Sequence, residues 1–467
     1  MRTVVIIGGG ITGLSAAYYL NQMTQAPNAG VRIILIESDE RLGGKIRTLQ
    51  DGGFLMETGA DSIVTRKENA AEFIEELGLG GEVVYNATGK SYIHVDGELK
   101  QIPEDTVFGI PLSLESLAKS TLVSAEGKVE ALKDWYTPNE TFTKNDSVGS
   151  FLEHFLGREL VEKQIAPVLS GVYSGNLTDL TIASTLPYLI EYKNEYGSLI
   201  RGLSENKMKF KGTGSKKFMS LKNGVSALID RLEERLAGSG VDIVKGVRAE
   251  TIRRDGERYL VTLADGAVLE AHDIVLSTLH STARQLLQDE ALDEDFDKLK
   301  NSSLISVYMG FDMADSELPK DGTGFIVSEH SDLSCNACTW TSRKWEHTSE
   351  GRRLLVRLFY KNSKPVYEQL KGMTDEELLQ AALEDMRKSL GLTGQPVTWN
   401  ITKWQETMPN YHIGHREIVE SLERKLAERH PGVLLAGCSY YGVGIPDCIA
   451  NGEEAARKLA GAPAVSR

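Results

Sequence analysis

The feature that most constrains this chain is Gly8-x-Gly10-x-x-Gly13, set between the β-branched run Thr3 to Ile7 and the helix-forming stretch Leu14 to Met23. A strand that enters such a turn and a helix that leaves it aim backbone N–H groups and the positive end of the helix dipole at one point, where a pyrophosphate can sit. Glycine is required because a Cβ would block either the phosphates or the close approach of helix to strand. Val31 to Glu37 is a second apolar run, so the first 37 residues spell β-turn-α-β, the right-handed crossover of a parallel sheet. Glu37 ends the second strand, where an acidic side chain accepts hydrogen bonds from an adenosine ribose and repels a 2′-phosphate. The expectation is a dinucleotide-binding α/β domain of the Rossmann-like kind.

A second glycine pair follows in Arg41-Leu42-Gly43-Gly44-Lys45-Ile46-Arg47-Thr48. NAD-type domains have no need of it. An R-x-G-G-x-x-x-[ST] run after the acidic residue resembles the second phosphate-contacting motif of the flavin amine oxidase superfamily, where the chain passes close to the flavin and the arginine meets the pyrophosphate. That separates FAD from NAD as the expected cofactor.

Composition narrows the partners. The 467 residues carry 52 Lys+Arg against 66 Asp+Glu, a formal net charge of −14, which argues against nucleic acid. Four cysteines are too few for a disulfide scaffold and suit a reducing compartment, so the expected location is cytoplasmic. The glycines of the first motif interrupt the apolar N-terminal run and argue against a signal peptide. No stretch reaches the ~18 to 20 apolar residues of a membrane span, which leaves peripheral membrane contact as the most to expect.

Along the chain, Thr65 and Glu68 have the spacing of a capping box and predict a helix over 68–77, with Arg66 and Lys67 as its first two residues. Helical patterns at 114–135, 147–165 and 178–192 predict a mainly helical inserted domain, 88–217. A helix is expected over 220–239 and hairpins around Asp255-Gly256 and Asp265-Gly266. Strands at 304–311, 323–328, 353–359 and 397–404 with a helix at 374–389 predict an α+β domain, 301–429. A buried strand at 433–437 and a closing helix at 447–459 return the chain to the first domain, which is expected from 1–87, 218–300 and 430–467.

Three further segments carry a resemblance from end to end: Glu57-Thr58-Gly59-Ala60-Asp61-Ser62 with Arg66-Lys67, Met408-Pro409-x-Tyr411-x-x-Gly414-His415, and Gly442-Val443-Gly444-Ile445-Pro446-Asp447-Cys448-Ile449 with Gly452. They are similar to the flavin-dependent porphyrinogen oxidases of haem synthesis, and most to their soluble Gram-positive branch, the coproporphyrinogen III oxidases formerly called protoporphyrinogen oxidases. Ala60 departs from the proline often found there. The resemblance implies FAD contacts from Gly8, Gly9, Gly10, Ile11, Thr12 and Gly13, from Glu37 and Ser38, from Arg41, Gly43, Gly44 and Lys45, and from Gly59, Ala60, Asp61 and Ser62. It also places the Val247 backbone at the adenine, Trp404 near the flavin ring, and Val443, Gly444, Ile445 and Pro446 across the ribityl chain and isoalloxazine. Read without the resemblance, Trp404 is a core residue. The α+β domain becomes the substrate-binding part.

The implied activity is the oxygen-dependent, six-electron oxidation of coproporphyrinogen III to coproporphyrin III, with hydrogen peroxide released and a ferrochelatase as a candidate acceptor of the product. Protoporphyrinogen IX is the alternative substrate. An amine oxidase or desaturase relative shares the two N-terminal motifs, and a non-catalytic porphyrin carrier is the reading from another class. No proton-accepting base is identifiable. Up to four propionates must meet a protein of charge −14. Arg66 and Lys67 are the expected carboxylate readers, against a plain solvated surface. Lys207, Lys209, Lys211, Lys216 and Lys217, among Gly212, Gly214 and Ser215, read first as a solvated loop and second as a gate or docking patch. Cys335 and Cys338 are half a zinc site without its other half, so free structural thiols and no metal are expected. His412 and His415 read as loop histidines.

Overall fold

The computed structural model describes residues 1–24, 30–87, 90–172, 177–210, 217–412 and 414–461. Lys211, Gly212, Gly214, Ser215 and Lys216 of the second basic cluster lie outside the described residues, as does 462–467 of the expected first domain.

β1 (Arg2–Ile7), α1 (Ile11–Thr24) and β2 (Val31–Ile36) form the predicted crossover, with Val4 opposite Ile33 and Ile6 opposite Leu35 in a parallel register. β3 (Asp242–Val244), β4 (Asp273–Leu276) and β5 (Val433–Leu435) complete a parallel sheet in the order β3-β2-β1-β4-β5. Because both faces are covered, these strands are apolar throughout rather than alternating. The closing helix α2 (Ile445–Ala460) lies on α1 so closely that a Cβ on Gly452 would stand 2.5 Å from the Thr12 carbonyl. The two expected hairpins form beside this sheet, turning on Gly256 and Gly266 at positive φ.

A seven-stranded sheet makes the second layer. Its order is Thr398–Asn410, Lys300–Ala314, Arg353–Lys361, Ala337–Trp340, Gly322–Val327, Lys90–Val95 and Glu98–Gln101. The last two strands correct the boundary expected at residue 88: Lys90–Val95 pairs in parallel with Gly322–Val327, so residues 90–101 belong to this sheet and the helical part begins after them. The boundary at 429 also moves. Val419, Leu422 and Leu426 of the helix His415–Arg429 share a core with Ile274, Val433 and Leu435 of the first sheet.

Local chemistry explains the other differences. The helix expected over 147–165 stops at Leu156, where Gly157 takes φ +82, and resumes through a π-helical turn at Val161–Ile165. Pro187 divides 178–192 into Ile182–Thr185 and Tyr188–Tyr196. The helix expected over 220–239 is a strand, Phe218–Leu221, and then a helix, Ser226–Ala237, separated by Gly224 at φ +89. That strand pairs with Ile63–Val64 and Val83–Tyr85.

Candidate functional site

At the carboxyl ends of β1 and β2 the three glycines of the first motif do different work. A Cβ on Gly8 would stand 2.3 Å from the Ser277 carbonyl, and one on Gly13 2.0 Å from the Gly8 carbonyl, so both are fixed by backbone packing. A Cβ on Gly10 would meet nothing within 4 Å. Gly10 therefore borders open space at the N-terminus of α1, where a phosphate group is favoured. Opposite it, the Gly43 N–H donates to the Gly9 carbonyl at 2.8 Å, and a Cβ on Gly44 would be 3.5 Å from the Gly10 Cα. The two glycine loops thus lie back to back and line one cradle.

Glu37 stands behind the cradle. Its Oε2 accepts from the Gly9 N–H at 2.7 Å, and its Oε1 from the Asp39 N–H at 2.9 Å and the Ser38 hydroxyl at 3.0 Å. A carboxylate offers about four lone-pair sites, so capacity remains for a ribose hydroxyl. The Val247 N–H donates to the Glu37 carbonyl at 3.2 Å, which brings the expected adenine position beside the expected ribose position. Arg41 is exposed at the outer edge, and the Lys45 Nζ lies 3.6 Å from the Cys438 Sγ.

The segment 58–62 is held from three sides. A Cβ on Gly59 would be 1.8 Å from the Lys45 carbonyl, and the Ala60 N–H donates to that carbonyl at 2.9 Å. From the seven-stranded sheet, the Trp404 Nε1 donates to the Thr58 carbonyl at 3.1 Å, and the Arg357 Nη2 to the Thr58 and Gly59 carbonyls at 3.3 and 3.0 Å. Arg357 is buried between the rings of Tyr308 and Phe359 and also donates to the Ser306 hydroxyl at 2.7 Å. From a third side the Lys344 Nζ pairs with the Asp61 Oδ2 at 3.0 Å. Burial alone would raise the Asp61 carboxyl, but the charges of Lys344 and Arg357 and the bonds from Lys344 and Ser62 hold it at about 2. Glu57, just before this segment, has no cation bonded to it among the described residues, and burial pushes its carboxyl up to about 7 despite bonds from the Val225 N–H and the Thr48 hydroxyl.

The expected C-terminal segment closes the site. Gly444 caps α2, Ile445 and Pro446 form its first turn, and Val443 stands 62% exposed, an apolar side chain aimed out of the fold. The Tyr411 hydroxyl accepts from the Gly442 N–H and donates to the Cys438 carbonyl, each at 2.6 Å. The His415 ring stacks on Tyr411 at 4.0 Å, so this histidine positions the loop.

One sequence expectation fails here. The Thr65 hydroxyl donates to the Lys217 carbonyl instead of capping a helix, and the helix begins at Asn69. Arg66 and Lys67 lie in the turn before it rather than as its first two residues. Arg66 is exposed, while Lys67 pairs with Asp447 in the first turn of α2, and the Asn69 amide donates to the Pro446 carbonyl at 2.8 Å. Cys335 and Cys338 are free and buried. Arg357 and Lys344 were missed in the sequence. Their signal was a lone cation within an aliphatic strand (Arg357) and one after a strand that ends in tryptophan (Lys344).

A two-loop glycine cradle with an acidic residue behind it, at the carboxyl edge of a parallel sheet, defines a dinucleotide-binding flavoprotein. The chain belongs to the flavin containing amine oxidoreductase family, which matches residues 11–460, and it is an FAD-dependent oxidase. Within that family its relatives include porphyrinogen oxidases. It is 34% identical to the coproporphyrinogen III oxidase of Bacillus subtilis (strain 168), with 97% of each chain covered, and 33% identical to that of Staphylococcus aureus, with 98% of this chain and 99% of the other covered. A crystal structure from Exiguobacterium sp. 255-15, provisionally named a protoporphyrinogen oxidase, superimposes with a TM-score of 0.88 at 35% identity, covering 98% of both chains. Among the described residues no helix is long and apolar enough to cross a membrane.

Proposed function

We propose that this chain oxidises coproporphyrinogen III to coproporphyrin III in the cytoplasm. The observation that carries the reading is the convergence of the cofactor segments on one face of the seven-stranded sheet. Arg357 and Trp404 project from that face to the Thr58 carbonyl. Around them Leu304, Ile326, Ala337 and Phe359 are only half-buried, a broad apolar surface of the kind a tetrapyrrole ring can lie on. The relatives named coproporphyrinogen III oxidase support the same substrate.

Bound FAD supplies a two-electron acceptor that dioxygen can regenerate. The substrate loses six electrons and six protons, so three dioxygen molecules become three of hydrogen peroxide. The chain's own part is to bind and orient. The N-terminus of α1 and the glycine loops hold the pyrophosphate, Glu37 the ribose, and residues 59–62 and 443–446 line the flavin. The N-terminus of α2 favours negative charge there. Lys67 reads substrate carboxylates at the mouth. The chain divides into three parts, with the helical body starting after Gln101 and packing on the Ile93, Val95 and Ile326 end of the sheet face. A ferrochelatase would take the product.

The Exiguobacterium structure's provisional name favours protoporphyrinogen IX as the second reading. Mixing the holoenzyme anaerobically with each porphyrinogen decides. Coproporphyrinogen III should bleach the flavin, and air should restore it with peroxide and a porphyrin Soret band. A flavin left oxidised by both substrates overturns the proposal, and bleaching by protoporphyrinogen alone replaces it with the second reading.

A further inference from the structure

The strand Arg353–Lys361 sorts its side chains sharply. Leu354, Val356, Leu358 and Tyr360 are buried in the core on one face, whereas Arg357, Phe359 and Lys361 alternate with them on the face that carries the cofactor segments. Lys361 is opposite Leu304, and Leu304 is opposite Trp404, so the three side chains stand in a row across one face. Two strand spacings put Lys361 roughly 10 Å from Trp404, about the breadth of a tetrapyrrole. The surface between them is apolar and half-buried.

Lys361 also differs in its partners. Lys67, Lys344 and the fully buried Lys193 each pair with an aspartate. Among the described residues no carboxylate lies within ion-pair distance of Lys361. Its amine makes a long contact, 3.4 Å, to the Ser170 carbonyl in the helix Ala166–Val172, where the helical layer meets the sheet. Burial lowers the Lys361 pKa, and no neighbouring acid opposes the shift. In a protein with 66 acidic residues, a half-buried cation that stands on the site face without one is free to take an anion brought from outside.

We infer that Lys361 binds a substrate carboxylate at the end of the apolar face remote from Trp404, and so helps select a tetracarboxylate over a dicarboxylate tetrapyrrole. This rests on the porphyrinogen reading above. With Lys67 at the mouth, it gives the ring a second ionic anchor and sets which edge faces the flavin.

The test uses holoenzyme carrying Lys361→Gln or Lys361→Arg. Coproporphyrin III and protoporphyrin IX are titrated against the Soret band, and KM and kcat are measured for both porphyrinogens. The glutamine variant should bind coproporphyrin III about two- to fivefold more weakly, lose less for protoporphyrin IX, and show the loss in KM rather than kcat. Arginine should restore most of the binding, and added salt should shrink the difference. An equal loss for both porphyrins, or none, overturns the assignment. So does a lowered melting temperature that arginine does not rescue, which would make Lys361 a clamp on the Ser170 helix. Wild-type protein that oxidises neither porphyrinogen overturns the underlying reading instead.

Discussion

Arg357 and Trp404 reach the same carbonyl oxygen, that of Thr58, from two strands that are not neighbours in the seven-stranded sheet. The strand between them, Lys300–Ala314, supplies Ser306 and Tyr308 to the Arg357 guanidinium. The face that would hold the substrate is thereby tied by hydrogen bonds to the segment that would line the flavin.

That clasp should be unequal. A hydrogen bond to a charged group contributes about 1.5–3 kcal/mol and a neutral one about 0.5–1.5 kcal/mol. Arg357→Gln should therefore cost stability and FAD retention together, whereas Trp404→Phe should keep the flavin. Thermal melting and the flavin-to-protein absorbance ratio measure both. A Trp404→Phe protein as flavin-poor as Arg357→Gln would show that the tryptophan bond matters as much as the arginine's and that the clasp is not unequal.

The glycines separate folding from binding. Gly10→Val places its side chain in open space, so the protein should fold and lose FAD, because the pyrophosphate would need that volume. Gly13→Val drives a side chain onto the Gly8 carbonyl and should fail to fold. Circular dichroism and FAD content of the two proteins give the comparison. A Gly10→Val variant with full FAD would remove the phosphate assignment.

Glu57 predicts a pH dependence of stability. Its carboxyl is raised from 4.5 to about 7 in the folded protein, so between those values the folded state binds the proton and the unfolded state does not. Stability must then fall as pH rises through this window and level off above it, by about 3 kcal/mol in all. Asp61 works in the opposite sense at lower pH, since its stabilisation is present above 3.8 and is lost towards about 2. Glu57→Gln should flatten the slope between pH 4.5 and 7 in denaturant titrations. A slope identical to wild type would place the proton elsewhere.

The crossover and its cradle were legible because strand, turn and helix follow one another within 37 residues, and each glycine has a local reason. Val247 and Trp404 could be placed only through the family resemblance. The strand order shows why: β3, which leads to Val247, joins β2 across about two hundred residues, and Trp404 stands on an edge strand of the seven-stranded sheet, so both positions are set by pairing remote in sequence. The 65–68 capping box failed because the Thr65 backbone N–H, which Glu68 would have to accept from, donates to the Lys217 carbonyl at 3.1 Å, brought by the pairing of Phe218 with Val64. Lys90–Val95 was misassigned to the helical part because its partner, Gly322–Val327, lies more than two hundred residues away.

The last prediction concerns Lys67, whose ammonium is already engaged by Asp447. A substrate carboxylate that bound Lys67 would have to compete with that aspartate, so the pair would act as a filter on how many carboxylates the ligand can offer. Lys67→Ala should raise KM for coproporphyrinogen III several-fold and for protoporphyrinogen IX less, since a partly exposed pair contributes about 0.2–1 kcal/mol. Asp447→Asn should do the reverse and lower KM for the tetracarboxylate, because the lysine is released while the helix start keeps a polar side chain. Both effects should shrink as salt is added. If Asp447→Asn raised KM as Lys67→Ala does, the two residues would serve the substrate as one unit and the competition would not exist.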